Sequence, residues 1–129
     1  MVELSSILSI AIGIDELVKV THANAISAGW YLDIKTGKEI ERNIPEMLCL
    51  IHSEISEAME GYRKHLMDDK LPNRSMIEVE LADAMIRIGD LAGYLNLDLA
   101  AAIIDKIVYN SQRLDHKLEN RKKQGGKQF

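Results

Sequence analysis

Four carboxylates stand in two pairs of related spacing, Glu54 with Glu57 and Glu80 with Asp83. Residues three apart share one face of a helix. Where two such helices pack, the four acids gather in a small space, and their mutual repulsion and partial burial are both unfavourable. A hard divalent cation relieves both, and an all-oxygen donor set suits Mg²⁺, with Mn²⁺ as a substitute. Zinc would call for thiolates or clustered imidazoles. A helical di-iron centre would place a His three positions after a Glu, and none of His22, His52, His65 and His116 has a Glu at that spacing.

A cationic counterpart lies further along the chain. Lys106, Asn110 and Arg113 share one helical face and offer an ammonium, an amide and a guanidinium to a chain of phosphates. Arg63 and Lys64 add a further contact. Carboxylate-held Mg²⁺ beside such cations suits phosphoryl chemistry, because it neutralises phosphate oxygens and acidifies bound water. The plainer reading of each acidic pair is a solvated helix face. For Lys106 and Arg113 it is surface ion pairs, worth about 0–1 kcal/mol each. Asn110 fits that reading less well, since its side chain disfavours a helix interior.

Helices must position these groups. Ile7, Ile10, Ile14, Leu17, Val18 and Ala25 recur at helical spacing, with Ile26 beside them, and predict a first helix over 5–28, closed by Gly29. Residues 29–44 read as a loop or a short ordered excursion. Asn43 caps a second helix and Pro45 sits in its first turn, where no amide donor is needed. Its apolar face comprises Met47, Leu48, Ile51, Ile55, Ala58 and Met59, then Tyr62 and Leu66, with Glu54 at the edge. The stretch from Met67 to Arg74 reads as a loop. Ser75 with Glu78 forms a capping box that opens a third helix. There Ile77, Leu81, Ala84, Met85, Ile88 and Leu95 make an apolar arc beside the polar arc of Glu80, Asp83, Arg87 and Asp90. Gly89 lowers helical propensity without ending the run. After a turn at Asn96 and Asp98, a fourth helix reaches Leu118, with Ala102, Ile103, Ile107 and Leu114 facing inward. A basic, glycine-containing, flexible tail spans 119–129.

Residues 1–118 therefore read as a single all-α domain, a bundle of four helices. A chain of 129 residues suits one domain. One Phe, one Trp and six Met leave the core to aliphatic side chains, which favours helices over a sandwich or barrel. Extensive apolar faces on so small a protomer make self-association the expectation. The net charge of −4 argues against a general nucleic-acid binder. Cys49 is the only cysteine; it allows no intrachain disulfide and reads as a small core residue in a reducing compartment. The N-terminus lacks a positively charged start and an unbroken apolar run, so neither a signal peptide nor a membrane span is expected, and the location reads as cytoplasmic.

The motifs Ser53-Glu54-Ile55-Ser56-Glu57 and Glu80-Leu81-Ala82-Asp83, with Gly61-Tyr62-Arg63-Lys64, Arg87, Lys106, Tyr109-Asn110 and Arg113, resemble the MazG-like branch of the all-α nucleoside triphosphate pyrophosphohydrolases. The match runs over most of Pro45 to Arg113. The resemblance implies a four-helix MazG-like bundle, completed as a homodimer or homotetramer. It implies cleavage between the α and β phosphates of a nucleoside triphosphate, giving the monophosphate and pyrophosphate. Glu54, Glu57, Glu80 and Asp83 then correspond to the catalytic metal ligands, with water activation near Glu54 or Glu57. Lys106, Asn110 and Arg113 orient phosphate oxygens, joined by Arg63, Lys64 and Arg87. Ser53 stands where the family often has another acid, which removes one carboxylate from the expected mechanism and bears on metal number.

The segment His22 to Tyr31 resembles that of short, often phage-encoded, members, for which the location would be the host cytoplasm. It implies a base pocket in which Trp30 stacks on a purine and Asn24 or Ser27 reads a polar edge; the plainer role of Trp30 is packing at a helix end. A deoxyribonucleotide, dGTP or dATP, is the implied substrate. Two rival functions stand beside this one. A helical interaction module would oligomerise without turnover, and a divalent-metal phosphomonoesterase would release inorganic phosphate.

Overall fold

The computed structural model describes residues 3–129. Its helices are α1 (Leu4–Ser27), α2 (Ile44–Arg63), α3 (Met76–Tyr94), α4 (Leu99–Gln112) and a short α5 (Leu118–Arg121), with a 3₁₀ turn at Leu114–His116 before the last. Among the described residues there is no β-strand, only isolated antiparallel bridges joining Leu32 to Glu39 and Met67 to Ser75. The all-α expectation holds. No helix is long and apolar enough to cross a membrane. The chain forms two compact units, one spanning Glu16–Leu97 and the other combining residues up to Asp15 with Asp98–Phe129.

The first unit is built on an α2–α3 hairpin. Asn43 Oδ1 accepts the amide of Glu46, and Pro45 follows inside the first turn, so α2 starts where its cap dictates. Ser75 and Glu78 complete both halves of the capping box on α3. Gly61 faces Met76 and Glu54 faces Arg87, which makes the two helices antiparallel. The buried carboxylate of Asp68 accepts the amides of Lys70 and Leu71 and shapes the connecting loop. Helix α2 ends at Arg63, short of Leu66, because His65 enters the left-handed region (φ 52°) and Leu66 turns to pair with Gly61 and Met76.

The face that α2 buries differs from the one its apolar pattern suggests. Met47, Glu54, Ala58 and Gly61 are buried, with Leu50 and Ile51 half-buried between them. Glu54 thus lies in the middle of the seam and not at its edge. Leu48, Ile55, Met59, Tyr62 and Leu66, expected inside, are exposed, as are Leu81, Met85, Ile88 and Leu95 of α3. The apolar arcs are wider than one helix–helix seam, and the small residues Ala58, Gly61 and Ala84 set which strip closes. Cys49, expected in the core, is exposed on the same helix.

Helix α1 carries its half-buried and buried positions at the expected spacing, from Ile7, Ile10 and Ile14 through Leu17 to Thr21, whereas Ile26 is exposed. Within the first unit it crosses α3 at a notch made by two glycines four residues apart. A methyl group on Gly89 would strike Thr21 Oγ1, and one on Gly93 would lie 2.5 Å from His22 Cβ. Close approach accounts for these glycines inside a helix.

In the second unit, Leu99, Ile103, Ile107 and Asn110 mark the less exposed side of α4, while Ala102 and Leu114 are exposed. The helix stops at Gln112, not Leu118, because Arg113 adopts an extended backbone (φ −66°, ψ 127°) and turns its guanidinium to Asp115. Residues 119–129, expected to be a flexible tail, contain most of α5, and Arg121 donates to the carbonyls of Lys127 and Gln128.

Helix propensity alone would make Gly93→Ala stabilising by about 1 kcal/mol. The clash with a Cβ fixed to the α1 backbone reverses the sign, and we expect a net loss of about 1–3 kcal/mol, read as a lower thermal midpoint. A midpoint raised by the substitution would show that the crossing is looser than described.

Candidate functional site

One turn of α2 and one of α3 bring three acids together. Carboxylate oxygens of Glu54, Glu57 and Glu80 all lie within 4.8 Å of one another. Glu54 is buried, Glu80 half-buried and Glu57 exposed, so the group opens from the seam towards solvent. Asp83 stands one turn beyond Glu80 on α3; it is half-buried and lines a cleft with Glu54, outside the compact trio.

Three negative charges here need compensation. Arg87 donates from Nε to Glu54 Oε1 at 2.6 Å, joining α3 to α2. Burial works against ionisation of Glu54, but the Arg87 hydrogen bond, a hydrogen bond from Glu80 and the Arg87 charge outweigh it and hold the carboxyl below the usual range. Glu80 moves the other way, to about 7, first through burial and then through its hydrogen bond to Glu54 and the charges of Glu57, Glu54 and Asp83. Asp83 is also raised, by burial and then by the charge of Glu54. Of the pair, then, Glu54 is the stronger acid and Glu80 is the one that titrates near neutral pH.

This donor set fits a hard divalent cation. Every candidate ligand atom is a carboxylate oxygen. Metal–oxygen distances of about 2.0–2.6 Å let opposite ligands of one Mg²⁺ or Ca²⁺ stand about 4–5 Å apart, the scale of the trio. The Arg87 guanidinium, and the raised proton affinity of Glu80, offset part of the charge that such an ion would neutralise.

The cleft has a volume of about 600 Å³ and lies wholly within the first unit. Glu54, Asp83 and Arg87 line one part; Asn24, Trp30 and Arg42 line another. Trp30 is 64% exposed, and the expected base-pocket residues Asn24 and Trp30 share a cavity with Glu54 and Asp83, though not with Glu57 or Glu80. The expected phosphate ligands are placed differently. Arg63 and Lys64 both pair with Glu60, at 3.1 and 2.5 Å. Lys106, Asn110 and Arg113 belong to the second unit. There Lys106 and Arg113 lie over the Tyr109 ring, Arg113 forms a two-point pair with Asp115, and Asn110 Oδ1 is buried with no hydrogen-bond partner among the described residues. Ser53 donates to the Leu50 carbonyl and stays exposed.

One group escaped the sequence reading. Asp90 Oδ1 lies 2.9 Å from His22 Nδ1 and accepts the Tyr31 hydroxyl at 2.7 Å. Burial, then this hydrogen bond, raises the Tyr31 pKa. Tyr31 also packs against Tyr94, whose hydroxyl accepts the Arg42 amide. Asp90 was visible as part of the polar arc of α3, but nothing in the local pattern connects it to residues 59 and 68 positions away.

No family model, curated protein or solved structure matches this chain.

The two pKa directions fix a pH profile for the metal-free protein. Glu80, raised from 4.5 to about 7, contributes stability that is complete below 4.5 and is lost as pH rises through about 7. Glu54, lowered from 4.5, contributes stability present above 4.5 and lost as pH falls through its folded value. We expect the thermal midpoint in chelator to fall between pH 4.5 and 7 and to be raised at pH 7 by Mg²⁺ or Mn²⁺. A midpoint that is flat over this window and indifferent to the cation would contradict the site.

Proposed function

We propose that the chain is a divalent-metal-dependent nucleoside triphosphate pyrophosphohydrolase. The observation that carries this reading is a cleft that Glu54, a member of the carboxylate trio suited to Mg²⁺, and Asp83 share with an exposed tryptophan suited to a base. The resemblance to MazG-like enzymes in both acidic motifs supports the same assignment.

A divalent ion held by Glu54, Glu57 and Glu80, with Asp83 beside them, would neutralise phosphate oxygens. The reaction joins a water oxygen to the α phosphorus and breaks the bond to the bridging oxygen, which leaves with pyrophosphate. Water activation would fall to the carboxylates near Glu54 or Glu57, which would take up its proton. A divalent ion on Glu54 would compete with Arg87 for that carboxylate, and the guanidinium, which lines the same cleft, would be free to meet phosphate oxygens. Trp30 gives the base a stacking surface and Asn24 a polar partner.

The four-helix MazG-like bundle and its completion by a second copy belong to this reading. Exposed Ile55, Met59 and Tyr62 on α2 and Met85 on α3 support self-association, because such a strip is unusual on an isolated protomer. A second copy would also give Lys106, Asn110 and Arg113 a site to serve across a subunit boundary. A dNTP substrate follows from the resemblance alone, and a cytoplasmic setting from the sequence of the N-terminus and the lone cysteine.

The test is a panel of deoxy- and ribonucleoside triphosphates incubated with Mg²⁺ or Mn²⁺, with all products resolved. Monophosphate and pyrophosphate are expected in equal amounts, with activity reduced at least about 100-fold in folded Glu54→Gln or Asp83→Asn protein, as for other groups that stabilise transition-state charge. Inorganic phosphate as the product would favour a phosphomonoesterase. Turnover that survives chelation, or no turnover across the panel, would sink the proposal.

A further inference from the structure

Asp90 shares a face of α3 with Asp83 and Arg87, two turns beyond Asp83. Seven residues of helical rise place it about 10 Å along the cleft wall from the acidic end. That is the scale on which a nucleoside separates its phosphates from the far edge of its base.

The Asp90 carboxylate is unusually well fixed for a group at a cleft surface. His22 and Tyr31 both bond to Oδ1, and among the described residues Oδ2 has no hydrogen bond. Its side chain is 15% exposed, enough to be reached and too little to be freely solvated. Arg42, in the same cleft, is fixed in part. One terminal nitrogen, Nη1, donates to the Trp30 carbonyl at 3.1 Å, and the guanidinium lies 5.7 Å from the centre of the Tyr31 ring. Its other N–H groups have no partner among the described residues. An oriented acceptor, an oriented double donor and an exposed indole therefore line one cavity.

We propose that this end of the cleft is built to read guanine, an inference that rests on the nucleotide reading above. Trp30 stacks on the purine. Arg42 donates to O6 and N7, the pairing for which a guanidinium fork is best shaped. Asp90 accepts from N1–H and the exocyclic N2 amino group. Adenine presents an amino donor where Arg42 requires an acceptor, and its N1 carries no proton for Asp90. Cytosine and thymine lack N7 and give the indole a smaller ring to cover. His22 and Tyr31 are positioning residues that keep Asp90 in place.

Trp30 is the only tryptophan, so its fluorescence reports on this cavity alone. The experiment is a fluorescence titration of the full chain with dGMP, dAMP, dCMP and dTMP in the presence of Mg²⁺. Monophosphates have no α–β bond to cleave, so the outcome is independent of whether triphosphates are hydrolysed. We expect dGMP to bind about tenfold or more tightly than the others. We also expect dIMP, which lacks the N2 amino group, to fall between them. Asp90→Asn and Arg42→Gln should each abolish the preference. If Asp90→Asn fails to fold, Arg42→Gln decides, because the main-chain bond from Arg42 to Tyr94 survives that substitution. Equal binding of all four, preference for another base, a guanine preference intact in Arg42→Gln, or no quenching by any nucleotide would overturn the proposal.

Discussion

The first unit is organised around a carboxylate placed inside a helix–helix seam. Glu54 occupies a position on α2 where a leucine would otherwise serve, flanked by Leu50, Ile51 and Ala58. An ionised acid there is unfavourable unless something answers its charge. Arg87 answers it directly across the seam, and the pKa of Glu80 is pushed up beside it. Glu57 and Asp83 then inherit their places, one turn away on each helix. The acidic cluster is thus a consequence of how α2 and α3 meet, and its unfavourable electrostatics are what a divalent ion would relieve.

The same choice of seam explains the outer surface. Turning Glu54 inward rotates Leu48, Ile55, Met59 and Tyr62 away from α3, and the chain leaves them uncovered. Small residues make the rotation possible: Gly61 admits Met76, and Gly89 and Gly93 admit α1. That second close crossing sets His22 against Asp90 and the segment through Trp30 beside the acids. The acidic cluster, the cleft beside it and the apolar outer face therefore share one structural origin.

Much of this was legible in the chain. The caps at Asn43 and Ser75 fixed where α2 and α3 begin, and the spacing of Glu54, Glu57 and Glu80 was enough to bring them together. The buried face of α2 was not legible, because an arc of apolar residues wider than one seam cannot say which edge closes. Arg113 illustrates a different loss. Its pairing with Asp115 ends α4 six residues early and engages a guanidinium expected to meet phosphate. The link from His22 to Asp90 spans 68 residues and follows from no local period. Its only trace was a polar residue on the α3 arc with no assigned task.

Mn²⁺ binding, followed by calorimetry at pH 7 in two buffers of different ionisation enthalpy, tests the metal centre most directly. One saturable high-affinity site per chain is expected, with release of the proton held by Glu80, and with both binding and proton release lost in Glu80→Gln. No saturable binding, or binding that Glu80→Gln leaves unchanged, would contradict a divalent-cation centre at this seam.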